Sequence, residues 1–341
     1  MEANMNDQKQ KEVVLSGIRA TGSIHLGNYS GAIQQFVKFQ DDPDVDCFFF
    51  IANLHSITEK IEPDLVLKGT RDITRVFLAA GLDPEKSTIY AQSSIPELCE
   101  LSWLFNCMVT VPTVANMPHF KEKKDLMQSR GTKETAGLLT YPILMAADIL
   151  GVNGTIVPVG KDQEYHVELA RDIARSFNSK FGDLFTLPAA SIGDFIPSLQ
   201  GSGKMGKSSG GQTIAINIAA DELKKIVLTA MTDPARARRT DPGDPRNCNV
   251  ASYHHIFSST DEVTWAEAGC MNASIGCIDC KKVVLKNLEA LIAPLRERYE
   301  EVARIPDKEI DEILHEGGIK ARKIVMAVVG EAKERMGLPF F

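Results

Sequence analysis

A chain of 341 residues exceeds one average domain, and its 44% hydrophobic and 24% charged residues exclude a disordered or fibrous protein. A net charge of −7 argues against indiscriminate coating of nucleic acid, so any nucleic-acid contact must use local basic patches. No apolar run approaches the roughly 20 residues of a membrane helix and Met1 to Lys9 lack a signal-peptide core, so the expectation is a cytoplasmic protein without membrane contact.

From Glu12 to Ile192, short apolar runs alternate with longer amphipathic ones, the pattern of an α/β fold with a covered parallel sheet. The predicted strands are Val13 to Leu15, Cys47 to Ile51, Thr88 to Ala91 and Thr155 to Val159, and Asp64 to Ala80 is a predicted helix. Cys47, Cys99 and Cys107 sit among large apolar residues and are expected to be buried. Past Ala219 strand signals fade, and Asp221 to Met231, Lys281 to Ala303 and Asp307 to Met336 carry apolar residues at helical spacing. The Gly- and Ser-rich piece Gln200 to Gly211 reads as a hinge between an α/β domain, residues 1–211, and a smaller helical domain, residues 212–341.

Directly after the first strand, Ser16-Gly17-Ile18-Arg19-Ala20-Thr21-Gly22-Ser23-Ile24-His25-Leu26-Gly27-Asn28-Tyr29 leads into a helical pattern running through Phe39. Glycines let the backbone approach a ligand, and a new helix offers unpaired N–H groups to an anion. His25 and Asn28 add neutral donors. By itself, a plain tight turn would account for the segment equally well. Downstream, Gly201-Ser202-Gly203-Lys204-Met205-Gly206-Lys207-Ser208 satisfies the spelling of a P-loop, but Ile196-Pro197-Ser198-Leu199 before it and Ser209-Gly210-Gly211 after it deny the required strand and helix. Lys204 and Lys207 instead form a basic loop able to bring two cations onto a polyphosphate.

Tyr141, Met145 and Asp148 share one helix face, and a carboxylate there is costly to bury unless something donates to it. Cys248, Cys270, Cys277 and Cys280 form C-x₂₁-C-x₆-C-x₂-C, a set that suits zinc or an iron–sulfur cluster; the pattern alone does not choose. Arg236, Arg238, Arg239, Lys281 and Lys282 around it make a local positive patch suited to nucleic-acid phosphates.

His25-Leu26-Gly27-Asn28 together with Lys204-Met205-Gly206-Lys207-Ser208 resembles the two defining motifs of class I aminoacyl-tRNA synthetases. Leu139 to Leu150 and Val157 to Gln163 resemble the amino-acid and ribose segments of the tryptophanyl-tRNA synthetases, a likeness running from about Leu15 to Met336. The resemblance implies a Rossmann-like catalytic domain with a helical anticodon-binding domain, a homodimer, and ATP with Mg²⁺, L-tryptophan and tRNA(Trp) as its ligands. It implies catalysis by His25, Asn28, Lys123, Lys204, Lys207 and Ser208. Nucleotide binding would fall to Arg19, Ala20, Thr21, Gly27, Gly160, Lys161, Asp162, Ile196, Met205 and Gly206 beside those. Asp148 would accept the indole N–H, Met145 would line the ring pocket, and Tyr141 and Gln163 would hold the ammonium group. The cysteine region resembles the members carrying a [4Fe–4S] cluster near the anticodon surface. Four positions depart from the family: Ala20 for proline, Gly206 for serine, Lys161 for an acidic residue and Asn53 for aspartate. A tyrosyl-tRNA synthetase, or a non-catalytic nucleotide-binding regulator with a zinc-stabilised RNA-binding module, are the competing readings.

Overall fold

A computed structural model describes residues 11–21, 24–58, 63–129, 131–201, 203, 205 and 212–338. The four predicted strands are present as β1 (Glu12–Ile18), β2 (Val45–Ile51), β3 (Thr88–Ala91) and β4 (Ile156–Val159). A fifth, β5 (Ala189–Ile192), escaped the sequence reading because it is a short, half-exposed edge strand without an apolar run. All pairings are parallel and the order is β3-β2-β1-β4-β5. The chain builds outward from β1 to β3 on one side and resumes with β4 and β5 on the other. β1 and β4 therefore flank a topological switch point, where ligands of open α/β sheets bind beyond the carboxyl ends of the strands.

The helices in chain order are α1 (Leu26–Asn28), continued by the wide turn Tyr29–Ile33 into α2 (Gln34–Gln40), then α3 (Asn53–Ser56), α4 (Pro63–Ala80), α5 (Glu97–Asn106), α6 (Val111–Ala115), α7 (Pro118–Ser129), α8 (Ala136–Gly151) and α9 (Glu164–Phe181). Beyond the sheet come α10 (Ala220–Leu228), α11 (Asn249–Phe257), α12 (Thr260–Met271), α13 (Cys277–Val302) and α14 (Asp307–Arg335). Among the described residues, no helix is long and apolar enough to cross a membrane.

Alternation along the strands divides the core between the two sheet faces. Val14, Phe49 and Ile51 pack with Phe36, Phe77, Leu288 and Ile310 on one side, and Leu15, Phe48 and Tyr90 with Leu101, Ile149, Phe177 and Val325 on the other. Residues of α10, α11, α13 and α14 are built into these same cores, so the helical part shares its apolar packing with the sheet across the 211/212 boundary. Cys47 is buried as expected, but Cys99 and Cys107 are exposed. The correction follows from helix geometry: on α5 the buried face is Leu98, Leu101, Ser102, Leu104 and Phe105, Cys99 falls outside it, and Cys107 caps the helix end.

Helix α14 crosses β3 at close range. A β-carbon on Gly317 would lie 1.9 Å from the carbonyl oxygen of Ile89, a backbone atom with no rotamer to yield. Gly317→Ala is therefore expected to destabilise the fold by about 2 kcal/mol or more through overpacking, read as a lower urea midpoint. Gly330→Ala on the same helix meets nothing within 4 Å and is the control.

Candidate active site

A cavity of about 760 Å³ opens at the switch point. Arg19, Gly27, Asn28, Lys123, Tyr141, Met145, Asp148, Gly160, Lys161, Asp162 and Gln163, all singled out in the sequence, line it. They come from separate elements: the turn after β1, the start of α1, α7, α8 and the turn after β4. The geometry of the sheet is what unites them.

The first glycine loop is braced by a downstream segment. Leu26 N–H donates to Ile214 O at 2.7 Å, His25 pairs with Ala215, and a β-carbon on Gly27 would lie 3.5 Å from Met205 O. The segments flanking the lysine loop thus run against the His25 turn. Met205 is buried, and its N–H donates to Ile196 O at 2.8 Å, which occupies the Ile196 carbonyl. Lys204, Gly206, Lys207 and Ser208 lie outside the described residues. His25 does not line the main cavity; its ring lies against Gly27, where a β-carbon would be 3.0 Å from Nδ1, and its N–H donates to Asn28 Oδ1 at 3.2 Å. Ala20 and Thr21 line a smaller neighbouring cavity of about 340 Å³ instead.

At the other side of the cavity, Gly193 leaves β5 and meets the turn after α1. A β-carbon there would sit 1.9 Å from Gly31 O, so glycine is what lets the two backbones meet. Beside them, Asp162 Oδ2 accepts from Gln163 Nε2 at 2.8 Å, and Lys161 pairs with Glu164 at 2.6 Å.

Asp148 is 1% exposed. His55 Nε2 lies 3.0 Å from its Oδ2, and Gln92 Nε2 lies 2.9 and 2.8 Å from its two oxygens. The donors the sequence argument demanded are therefore supplied within the chain. Burial pushes the Asp148 carboxyl up, and the bonds from His55 and Gln92 oppose that. Tyr141 Oη bonds His119 Nδ1 at 2.8 Å and His166 Nε2 at 3.1 Å, and Lys123 Nζ lies 5.6 Å from the Tyr141 ring centre. Burial, then the nearby His119 and His55, holds the His166 imidazole down at about 4. His119 is lowered by burial and then by Lys123. Both shifts favour the neutral imidazole. His55, Gln92, His119 and His166 were missed as site residues because a lone polar residue after a strand or on a helix carries no spacing signal.

Around the cysteines, Cys248 caps α11, Cys270 lies in the last turn of α12, and Cys277 and Cys280 open α13. Burial, with the charges of Cys248, Cys270 and Cys277, pushes the Cys280 thiol up to about 12. His254 Nε2 lies 3.2 Å from Cys280 Sγ, and Arg236 Nη1 donates to Cys270 Sγ at 3.7 Å. As they stand the thiols are not a ligand set: among the described residues, no three His, Cys, Asp or Glu side chains are arranged to hold a metal ion.

The basic patch needs correction at two positions. Arg236 is buried, with Nη2 donating to Arg239 O at 3.0 Å and Ile275 O at 2.5 Å, and Lys281 is buried with Nζ on Leu228 O at 2.9 Å. Each tethers loop and helix-end carbonyls, which spacing alone did not reveal. Arg238, Arg239 and Lys282 are exposed. Arg236→Ala is expected to lower stability by about 2 kcal/mol or more, because it orphans buried carbonyls. Arg239→Ala is expected to leave stability within about 0.5 kcal/mol of the parent in a urea titration, because its ion pair with Asp279 is solvent-exposed.

The family described as tRNA synthetases class I (W and Y) matches residues 7–293. The tryptophan–tRNA ligase of Thermotoga maritima is 42% identical over 330 residues, covering 96% of this chain and 99% of that protein, and the ligase of Deinococcus radiodurans is 39% identical over 329 residues, covering 95% and 98%. Among solved structures, the tryptophanyl-tRNA synthetase of Campylobacter jejuni complexed with ADP and tryptophan superposes with a TM-score of 0.79 at 33% identity, covering 96% of this chain and 100% of that one. That of Mycoplasma pneumoniae gives 0.82 at 27% identity, covering 96% and 98%. With a parallel sheet whose switch point opens into a cavity shared by the glycine turn and the Tyr141 to Asp148 helix face, the chain belongs to the class I tRNA synthetases, in their tryptophan–tRNA ligase branch.

Proposed function

We propose that this chain activates L-tryptophan with ATP and transfers it to tRNA(Trp) in the cytoplasm. The observation that carries the reading is one cavity lined both by Gly27, Asn28 and Lys123, suited to phosphates, and by Tyr141, Met145 and Asp148, suited to an indole amino acid. In the first step the tryptophan carboxylate attacks the α-phosphorus of ATP, the α–β bridging bond breaks, and pyrophosphate leaves. In the second, the 2′-hydroxyl of the terminal adenosine attacks the activated carbonyl and AMP leaves.

No enzyme nucleophile is required, so the chain contributes position and charge. Gly27 and Asn28 meet the phosphates, joined by Lys123 from α7 and by Lys204, Lys207 and Ser208 from the basic loop. His25 shapes this turn. Arg19, Ile196, Met205 and Gly206 border the nucleotide, Gly160 gives adenine a close approach, and Asp162 accepts from ribose hydroxyls. Mg²⁺, when bound, neutralises phosphate oxygens. Tyr141 and Gln163 hold the ammonium group, and Asp148 accepts the indole N–H.

Residues 212–341 are the anticodon-binding part, with Arg238, Arg239 and Lys282 toward tRNA phosphates. The exposed Trp103 (68%) and Val111 (65%), beside Cys99 and Cys107, support a homodimer formed through α5 and α6. Cys248, Cys270, Cys277 and Cys280 would become the ligands of a structural metal centre, [4Fe–4S] or zinc, once the metal draws them together; the clustering of the four thiols, with the Arg236 N–H donating to Cys270 Sγ, supports it. Protein isolated without oxygen is expected to contain iron and absorb visible light. Zinc without colour overturns the iron–sulfur assignment, and neither metal overturns the centre.

ATP–pyrophosphate exchange driven by each amino acid in turn tests the activity. Exchange with tryptophan alone is expected. Exchange driven by tyrosine would make it a tyrosyl enzyme, and exchange with none would make it a nucleotide-binding paralogue.

A further inference from the structure

We infer that Gln92 is a positioning residue for amino-acid selection, holding Asp148 as a pure hydrogen-bond acceptor toward the indole N–H. The inference rests on the pocket reading above and adds a residue that none of the motifs contains. Gln92 is 0% exposed and begins the turn Gln92–Ser94 that leaves β3. Its Oε1 accepts the backbone N–H of Leu54 at 3.1 Å and of His55 at 3.3 Å. Those two donors settle which way the amide faces: its oxygen lies on α3, so its Nε2 points at Asp148, 2.9 Å from Oδ1 and 2.8 Å from Oδ2. His55 Nε2 takes the remaining approach to Oδ2 at 3.0 Å.

Gln92 Nε2 can only donate to the Asp148 carboxyl, and His55 Nε2 donates to it as well in the tautomer that carries its proton there. A buried acid without such donors takes up a proton and becomes a donor itself. Held by Gln92 and His55, Asp148 instead turns a lone pair toward the cavity that it shares with Met145 and Tyr141. A ring N–H satisfies that lone pair. A ring sulfur at the same position leaves it facing another lone pair, so selection for the N–H depends on Gln92 as well as on Asp148.

Gln92→Glu tests this with little change of shape. Its carboxylate can still accept the Leu54 and His55 N–H groups, but it faces Asp148 as a second acid, and the pair must share a proton. Pyrophosphate exchange is measured with L-tryptophan and with the benzothiophene analogue of tryptophan, which has sulfur in place of the N–H. Gln92→Glu is expected to reduce the tryptophan-to-analogue ratio of kcat/KM by roughly tenfold or more, mainly through a higher KM for tryptophan, while KM for ATP stays within about twofold. A structural defect would weaken both substrates alike. Gln92→Met, which removes the donor without adding charge, is expected to lower the ratio in the same direction and serves if the glutamate variant does not fold. An unchanged ratio in the Gln92 variants, alongside a collapsed ratio in Asp148→Asn, overturns the role of Gln92 and leaves the pocket reading intact. An unchanged ratio in Asp148→Asn overturns the pocket reading and this inference with it.

Discussion

Asp148→Ala is expected to lower kcat/KM for tryptophan by about 10²- to 10³-fold, equivalent to roughly 3–4 kcal/mol. Two losses contribute. The indole N–H loses its acceptor in a buried site where water is a poor replacement, and His55 and Gln92 are left as buried donors without their shared partner. The second loss also acts on the free enzyme, so stability should fall by about 2 kcal/mol or more in urea denaturation. Catalytic and structural effects separate with the benzothiophene analogue: its kcat/KM is expected to change by less than about tenfold, because it never used the acceptor. Equal losses for both substrates would mean that Asp148 only holds the fold around β3 and α8.

Lys207→Ala is expected to slow adenylate formation by about 10²- to 10³-fold in single-turnover measurements while tryptophan affinity changes by less than about threefold. The pentavalent α-phosphoryl group and departing pyrophosphate gain negative charge that neither bound substrate carries at that position. A cation aimed at the phosphates therefore lowers the barrier more than it tightens ground-state binding. In the proposed pocket tryptophan lies against α8, where His55 and Gln92 contact Asp148. A Lys207→Ala enzyme with normal adenylate formation would remove the loop from the chemistry. A parallel loss of tryptophan affinity would place its effect in binding.

The strongly apolar elements were legible in the sequence. β2, with Cys47-Phe48-Phe49-Phe50-Ile51, and α4, with its helical apolar stripe, form where their patterns predict because burial on both faces or on one stripe dictates their composition. β5 was not legible, since an edge strand needs no apolar run, nor were α11 and α12, whose short segments bury only Val250, Tyr253, His254, Ala266 and Gly269. The glycine turn and the Tyr141 to Asp148 face could be read because their spacing is local. Gln92 and His55 could not, because they reach Asp148 only through the sheet that brings β2, β3 and α8 together. Arg236 and Lys281 show the converse: a basic residue in a basic cluster reads as surface, but a long side chain can turn inward to hold carbonyls. The domain boundary was drawn at a change of composition, whereas the apolar packing of α13 and α14 continues onto the sheet.

In the proposed enzyme one cavity at the carboxyl end of the sheet seats both the nucleotide and the indole amino acid, with Asp148 choosing between side chains. A crystal structure of the protein with a non-hydrolysable tryptophanyl-adenylate analogue tests it most directly. The indole nitrogen is expected at hydrogen-bonding distance from Asp148 and the phosphate beside Gly27 and Asn28. An adenylate bound with its ring away from α8, or its phosphate elsewhere, would contradict it.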